Sequence, residues 1–202
     1  GYIKRTSLST YRSQRRGGRG VQGASSREED FVEHLFIANT HSYILFFTDK
    51  GKCYWVKVYD IPEGGRAAKG RAIVNLIGCE PDEKVSAFIS VKEFNDDHFV
   101  VMETEKGIVK NTKLSAYSNP RKKGIYAVEI RDGDRLIEAR VSTGDNDILL
   151  GTRNGKAIRF SEEQIRPSGR KTMGVKGITL SSEDDRLVGM LLIKREGTTV
   201  LV

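Results

Sequence analysis

The sequence predicts an all-β protein, a propeller-like ring of four-stranded blades. Three observations predict it: one pattern returns four times at intervals of about 50 residues, each return supplies short β-rich runs, and helix signals are nearly absent. A single small sheet cannot bury both of its faces, so such units must pack side by side around an axis. The single Trp55 argues against a WD-type array.

Each unit begins at a glycine, continues as a short apolar or aromatic strand with basic residues, and then reaches a basic turn that contains glycine. We call these first residues the anchor glycines: Gly1, Gly51, Gly107 and Gly155. They divide the chain into repeats at about 1–50, 51–106, 107–154 and 155–202. The four repeats are interpreted as one domain.

Four strands are predicted for a full unit. The second strand follows the anchor glycine, and the first precedes it, at 43–48, 99–104 and 148–152. A polar pair and a glycine between two β-rich runs indicate a hairpin, most strongly at Asn154-Gly155. The third strand follows the basic turn, at 72–76, 125–130 and 177–180. The fourth is predicted at 85–91, 136–141 and 187–193. The segment 25–30 could cap a short helix, whereas 161–165 is more typical of a turn.

The two ends of the chain leave two alternatives open. The chain opens on an anchor glycine without the strand that precedes the others, and it ends in Thr198–Val202, which matches that strand. A strand from one end could pair with the unit at the other end and close the ring. Equally, the chain could be a fragment of a longer subunit with further units, as a first residue other than Met also suggests.

The overall charge favours an acidic polymer as the partner. The net charge is +7 and the isoelectric point is about 9.4, which suggests nucleic acid first and an anionic membrane second. Cys53 and Cys79 are too few for a disulfide framework and lack CxxC spacing, so a reducing cytosol is expected. Neither a signal peptide nor an apolar run of about 18 residues is present, and this sequence therefore predicts no export or membrane span.

The basic residues gather in one turn of each unit, between the second and third predicted strands. Because equivalent positions of repeats lie at equivalent places around a ring, we predict a positive belt along one rim. The alternative is that these are ordinary polar loops, but acids are nearly absent from them and only Glu63 flanks one. Such a belt fits the phosphates of duplex DNA without reading bases. The first basic turn comprises Gln14, Arg15, Arg16, Gly17, Gly18, Arg19 and Gly20; the second contains Arg66, Lys69 and Arg71; the third Arg121, Lys122 and Lys123; the fourth Arg170, Lys171 and Lys176.

The first basic turn, Gln14-Arg15-Arg16-Gly17-Gly18-Arg19-Gly20, resembles the gyrase A box found in the C-terminal domains of DNA gyrase A subunits. The opening Gly1-Tyr2-Ile3-Lys4-Arg5 and the degenerate repeats match that family as well, so the resemblance covers the whole chain. It implies a β-pinwheel in which neighbouring blades exchange strands and a rim that wraps DNA with positive handedness, for which the box is needed. The family usually has six blades, so four is a departure.

The resemblance also implies binding partners and assigns the chemistry of DNA cleavage and ATP hydrolysis to other domains. It implies double-stranded DNA, the N-terminal part of the gyrase A protein, and the gyrase B protein in a heterotetramer of two A and two B chains, in the bacterial cytoplasm with the chromosome. The DNA-cleaving tyrosine, ATP and magnesium belong to other domains, so no catalytic residue, metal or cofactor is expected here. Tyr2, Tyr11 and Tyr43 are interpreted as strand residues, and no P-loop or zinc-ligand spacing is complete.

Other functions remain open on the residues alone. The related protein of topoisomerase IV has a similar domain with a degenerate or missing box, so the intact box favours gyrase. A propeller scaffold could instead use its arginines to grip acidic protein partners. An Arg-Gly tract that binds RNA would need only residues 1–23 and not the repeats.

Overall fold

The computed structural model describes residues 1–11, 13–20, 32–65 and 68–194. The strands in chain order are β1 (Tyr2–Ile3), β2 (Tyr43–Thr48), β3 (Lys52–Lys57), β4 (Arg71–Ala72), β5 (Val85–Val91), β6 (Phe99–Thr104), β7 (Ile108–Lys113), β8 (Ile125–Tyr126), β9 (Leu136–Ser142), β10 (Asp147–Thr152), β11 (Ala157–Ser161), β12 (Val175–Lys176) and β13 (Leu187–Ile193). The helix α1 covers Ile73–Ile77, and single 3₁₀ turns cover Leu8–Thr10, Val58–Asp60, Leu114–Tyr117 and Glu162–Gln164.

The hairpin β2–β3 is built by a motif that recurs in the hairpins β6–β7 and β10–β11. Thr48 O accepts a hydrogen bond from the anchor Gly51 N at 2.9 Å, and the Thr48 hydroxyl accepts another from Lys52 N at 3.3 Å. Gly51 has φ of +76°, a conformation that glycine adopts without a steric penalty. Threonine followed three residues later by glycine thus specifies each hairpin. The same pair of bonds forms at Thr104 and Thr152.

In the second, third and fourth units, the third strand leaves its own sheet. β4 pairs with β1, β8 with β3, and β12 with β7, each antiparallel over two residues. The described sheets therefore have the orders β1-β4, β5-β2-β3-β8, β12-β7-β6-β9 and β11-β10-β13. The strand exchange expected of a β-pinwheel is present at three successive junctions.

An anchor glycine receives each exchanged strand. Gly51 O accepts hydrogen bonds from Ala127 N at 2.8 Å and from Val128 N at 3.2 Å, and a similar pair of bonds forms at Gly107. A Cβ on Gly51 would lie 2.4 Å from Val128 O, so no other residue fits without movement. Gly51 and Gly107 therefore serve two purposes, a hairpin turn and a binding site for the strand of the neighbouring unit.

Apolar side chains fill the spaces between successive sheets. The second and third sheets share a cluster around Phe47, Met102 and Tyr117, and the third and fourth share one around Val101 and Leu150. The other face of β2 packs with α1 in a third cluster. Both faces of β2 are buried, which explains its continuous apolar run in place of a period-2 alternation. The predicted all-β, propeller-like fold is confirmed.

The predicted strand at 72–76 is wrong, because β4 ends at Ala72 and α1 follows. Ile73, Leu76 and Ile77 have the spacing of one helical face and pack in the third cluster. Gly78, with φ of +63°, donates its N–H to Val74 O at 3.0 Å and ends the helix. None of the helices in the described ranges is long and apolar enough to span a membrane.

The other two third strands are shorter than predicted. β8 covers only 125–126 of the expected 125–130, and β12 lies at 175–176, just before the expected 177–180. In both units the chain turns around an anchor glycine after two paired residues, which prevents a longer ladder. The predicted closing strand at 198–202 and the helix at 25–30 lie outside the described residues, and they stay predictions.

Glu103 is an unpaired carboxyl inside β6. It is fully buried, and neither of its carboxylate oxygens has a hydrogen-bond partner among the described residues. Burial, and then the charge of Glu138 on the neighbouring strand, raises the pKa of Glu103 to about 8. The protonated form is thus favoured by folding. Its contribution to stability is present below the unfolded pKa of about 4.5 and is lost as the pH rises towards 8.

We expect Glu103→Gln to raise the free energy of unfolding by roughly 1–3 kcal/mol at pH 8, because the neutral amide avoids burying a carboxylate. At pH 5 the two proteins should be nearly equal, since the wild-type carboxyl is then mostly protonated. Urea unfolding at both pH values measures the difference. Glu129→Gln, which neutralises an exposed carboxyl, is the control and should show no such divergence. A constant difference at both pH values would contradict the role of protonation.

Candidate nucleic-acid interface

The first basic turn is shaped by glycines and by Gln14. Gly18 N donates to Arg15 O at 3.0 Å, closing a β-turn in which Gly17 has φ of +86°, the conformation required at the third position of a type II turn. The Gln14 side-chain oxygen accepts the Gly20 N–H at 2.9 Å and so joins the two ends of the loop. A Cβ on Gly18 would lie 2.7 Å from that oxygen. Each glycine is thus used for a turn or a close approach.

The arginines of this turn point their charge at solvent. Every residue from 13 to 20 is exposed. Within the described part of the chain, no ion pair joins Arg15, Arg16 or Arg19 to an acid. Exposed guanidinium groups have planar forks that match phosphate oxygens, which makes this turn a candidate anion-binding surface.

The second basic turn lies along the segment that leads from β1 to the first turn. Lys4 Nζ donates to Gly65 O at 3.1 Å and to Ala68 O at 2.9 Å. The acid that flanks this turn, Glu63, is paired with Arg5 at 2.9 Å. Lys69 and Arg71 are exposed, and Arg66 lies outside the described residues.

The third basic turn presents its charges freely. Arg121, Lys122 and Lys123 are exposed, and Gly124 N donates to Arg121 O at 2.8 Å to close the turn. Gly124 has φ of +72°, and a Cβ there would lie 2.7 Å from the ring of Tyr54 in the preceding unit. The turn therefore rests on the sheet that its exchanged strand joins.

The fourth basic turn is tied most closely to its neighbours. Ser168 N donates to Asn111 O at 2.9 Å, and Arg170 Nη1 donates to Tyr126 O at 3.0 Å. Arg170 is consequently half-buried, whereas Lys171 and Lys176 are exposed. The bond to Tyr126 places this turn beside the exchanged strand β8, and so beside the third turn.

The second, third and fourth basic turns occupy equivalent places on the sheets. The second, third and fourth each run directly into an exchanged strand, which forms one edge of the preceding sheet. The opposite edges, β5, β9 and β13, contact one another in sequence and so face the axis. The second, third and fourth basic turns therefore lie on the outer side of the sheets. Among the described residues, no hydrogen bond or ion pair joins an arginine of the first turn to another basic turn.

Acids are concentrated elsewhere, in the loop before each fourth strand, where they bind the hairpins. Asp134 accepts Lys106 N at 3.0 Å, and Asp185 accepts Asn154 N at 3.1 Å. Hydrogen bonds from Ser181 and from backbone amides lower the pKa of Asp185 to about 2. Among the described residues, Asp134 and Asp185 are thus hydrogen-bonded to the hairpins and not to the basic turns.

The sequence did not identify two residues that support the basic turns, Lys4 and Lys110. Lys110 is almost fully buried in β7, where its Nζ donates to Ala127 O at 2.6 Å and to Arg170 O at 2.5 Å. Both lysines stand third after an anchor glycine, where the second unit has Tyr54. That shared position was the available signal, but it acquires meaning only once the strand exchange is known.

A family model described as "DNA gyrase C-terminal domain, beta-propeller" matches residues 1–39, 42–92, 98–143 and 146–194. The DNA gyrase A protein of Clostridium acetobutylicum is 52% identical over 177 residues, which is 88% of this chain and 21% of that protein. The DNA gyrase A protein of Mycobacterium tuberculosis strain CDC 1551 is 44% identical over 204 residues, which is 100% of this chain and 24% of that protein. The chain thus spans between a fifth and a quarter of the length of these relatives.

Two solved structures are similar over nearly the whole chain. The C-terminal domain of DNA topoisomerase IV superposes with a TM-score of 0.80 at 28% identity, covering 96% of this chain and 58% of that one. A DNA gyrase A C-terminal domain gives a TM-score of 0.71 at 25% identity, covering 96% and 62%.

Proposed function

The chain belongs to the DNA gyrase C-terminal domain family, and from that premise we propose that it binds duplex DNA and wraps it around its outer side. The observation that carries the proposal is the placement of the basic turns. The second, third and fourth lie at equivalent positions of the repeats, and the described basic residues of all four turns are exposed except for the half-buried Arg170. The role is structural, and no bond of the DNA is broken by this chain.

Wrapping requires attraction that is spread around the perimeter. Bending a short duplex through 40–90° costs on the order of 1–6 kcal/mol, and a longer wrap costs more. A single patch could hold a straight duplex, whereas several turns at intervals can offset the bending energy at successive points. If about 6–10 of the basic residues contact phosphates, affinity should fall roughly 10³–10⁵-fold between 50 and 200 mM salt. Because phosphates carry no base code, sequence preference should be weak.

In the whole protein, this wrap would serve a type IIA topoisomerase. We propose that the chain acts with the N-terminal part of the gyrase A protein and with the gyrase B protein. A positive wrap presents a neighbouring DNA segment for strand passage, so the enzyme introduces negative supercoils at the expense of ATP bound on other domains. The catalytic tyrosine and the magnesium site are likewise assigned to other parts of the complex.

A topology assay tests the proposal directly. Nicked circular plasmid is ligated in the presence of the chain, the protein is removed, and the linking number is read on a gel. We expect a positive shift that grows in proportion to the protein added. Retardation of the plasmid without a shift would reduce the function to DNA binding. The absence of both effects would favour a scaffold for acidic proteins.

A further inference from the structure

Lys110 is a buried cation that the wrapping proposal leaves unexplained. Its side chain is almost fully buried, and no acid pairs with it in the described part of the chain. Burial, and then the nearby charge of Arg170, lowers the pKa of Lys110 to about 8. Burying a charge that only carbonyl oxygens solvate is costly. A residue retained at that cost should provide something that an apolar side chain of the same size cannot.

The two carbonyl groups that Lys110 binds belong to different units. Ala127 O, at 2.6 Å, follows the exchanged strand β8, and Arg170 O, at 2.5 Å, lies in the fourth basic turn. Arg170 in turn donates its guanidinium N–H to Tyr126 O at 3.0 Å. One ammonium group and one guanidinium group thus fix the fourth turn against the strand that the third turn leads into.

The same position of the earlier units also contacts a basic turn of the next unit. Lys4 donates to Gly65 O and Ala68 O in the second turn. Tyr54 packs its ring against Gly124 in the third turn. In three consecutive units, therefore, the third residue after the anchor glycine supports the basic turn that arrives from the following unit.

We infer that Lys110 is a positioning residue for DNA binding, which holds the backbone of the fourth basic turn and so sets its spacing from the third. The inference rests on the proposed function. Phosphates recur at fixed intervals along a duplex, so a turn that drifts loses its contacts even when its own charges are intact. Lys110 itself contacts no DNA, since it is buried beneath the turn.

A double-mutant cycle in DNA affinity tests this. Lys110→Met keeps the volume of the side chain and removes the donors. We expect it to weaken binding to duplex DNA about fivefold near 100 mM salt, and Lys171→Ala with Lys176→Ala, which removes exposed charges of the fourth turn, to weaken it about tenfold. The chain with all three substitutions should bind duplex DNA no more weakly than the turn variant alone. Once the charges of the fourth turn have been removed, misplacing that turn costs no further phosphate contacts.

Lys4→Met supplies the matched control, since it supports the second turn. Its effect on affinity should multiply with that of the Lys171 and Lys176 substitutions and fail to multiply with that of Lys69→Ala and Arg71→Ala. If Lys110→Met only disturbs the fold in general, it will lower the DNA affinity of every turn variant by the same factor. That result would overturn the inference. If urea titration shows that Lys110→Met does not fold, Lys110→Gln replaces it, because its NH₂ group keeps neutral donors. The loss of affinity should then be smaller and should again fail to multiply with that of the fourth-turn substitutions.

The outcomes separate the two proposals. If the wild-type chain shows no salt-dependent binding to duplex DNA, the proposed function fails and the inference fails with it. If the wild-type chain binds and the effects of Lys110→Met and the fourth-turn substitutions multiply, only the positioning role of Lys110 is overturned.

Discussion

Replacing Arg15, Arg16 and Arg19 together with alanine is expected to abolish the linking-number shift while the chain still retards duplex DNA. The three guanidinium groups are exposed, lack ion pairs within the described residues, and sit on a loop shaped by Gly17 and Gly18. Their removal leaves the other basic turns able to bind phosphates, so affinity should fall less than wrapping. A bent duplex needs attraction at each point along its path, so the loss of one basic turn allows the DNA to straighten.

The control must remove the same charge from elsewhere. Arg135, Arg159 and Arg186 are exposed arginines that pair with the carboxylates of Glu105 or Asp147, outside the basic turns. Exposed ion pairs contribute at most about 1 kcal/mol each to stability, so alanine at these three positions should leave the fold intact. We expect this variant to retain the shift with a modest loss of affinity. Equal loss of binding and wrapping in the first-turn variant would argue against a special role for that turn.

The strands inside a unit could be predicted from the sequence because their signals are local. The runs at 43–48, 99–104 and 85–91 are strands with those bounds, and the hairpins lie at the expected anchor glycines. Apolar β-rich runs between glycine turns specify such strands almost independently of their surroundings. The class of fold followed from their number and spacing.

The partner of each third strand could not be derived from the residues in the same way. β8 carries no mark that assigns it to the sheet of the preceding unit, and only the family resemblance implied the exchange. Its two ladder residues give no periodicity, because the chain turns at once around Gly51. At α1 the β-branched Ile73 and Val74 suggested a strand, whereas the spacing of Ile73, Leu76 and Ile77 and the following Gly78 indicated a helix. Tertiary burial decided between the two signals.

The same distinction between local and non-local signals applies to the candidate site. The exposed arginines and lysines of the basic turns were readable as a repeated pattern of charge. The groups that support those turns were not, because Lys110 in an apolar strand has no visible partner until Arg170 of the next unit is brought beside it. A sequence pattern reports which residues are charged, and the exchange of strands determines which of them are buried.

Strand exchange should therefore be the main source of stability at the junctions, and the anchor glycines provide the test. We expect Gly51→Ala to lower the free energy of unfolding by about 3–5 kcal/mol, since its Cβ would lie 2.4 Å from Val128 O. The positive φ adds a backbone penalty of its own, about 1–2 kcal/mol. Moving Val128 would break the bonds that Gly51 O accepts from the exchanged segment.

Gly155 is the matched control because it has nearly the same φ, +79°, with no described atom within 4 Å of its Cβ position. Gly155→Ala should lower the free energy of unfolding by the backbone penalty alone, about 1–2 kcal/mol. The loss of stability for Gly107→Ala should lie between those of the other two variants, since its Cβ would lie 3.0 Å from Ile178 O. Urea unfolding of the three variants measures the series. Equal losses would mean that positive φ alone decides the cost and that the seated strand contributes nothing. The expected order of losses would instead show that the junction with an exchanged strand depends on the absence of a single side chain. The basic turn that precedes that strand would depend on it as well.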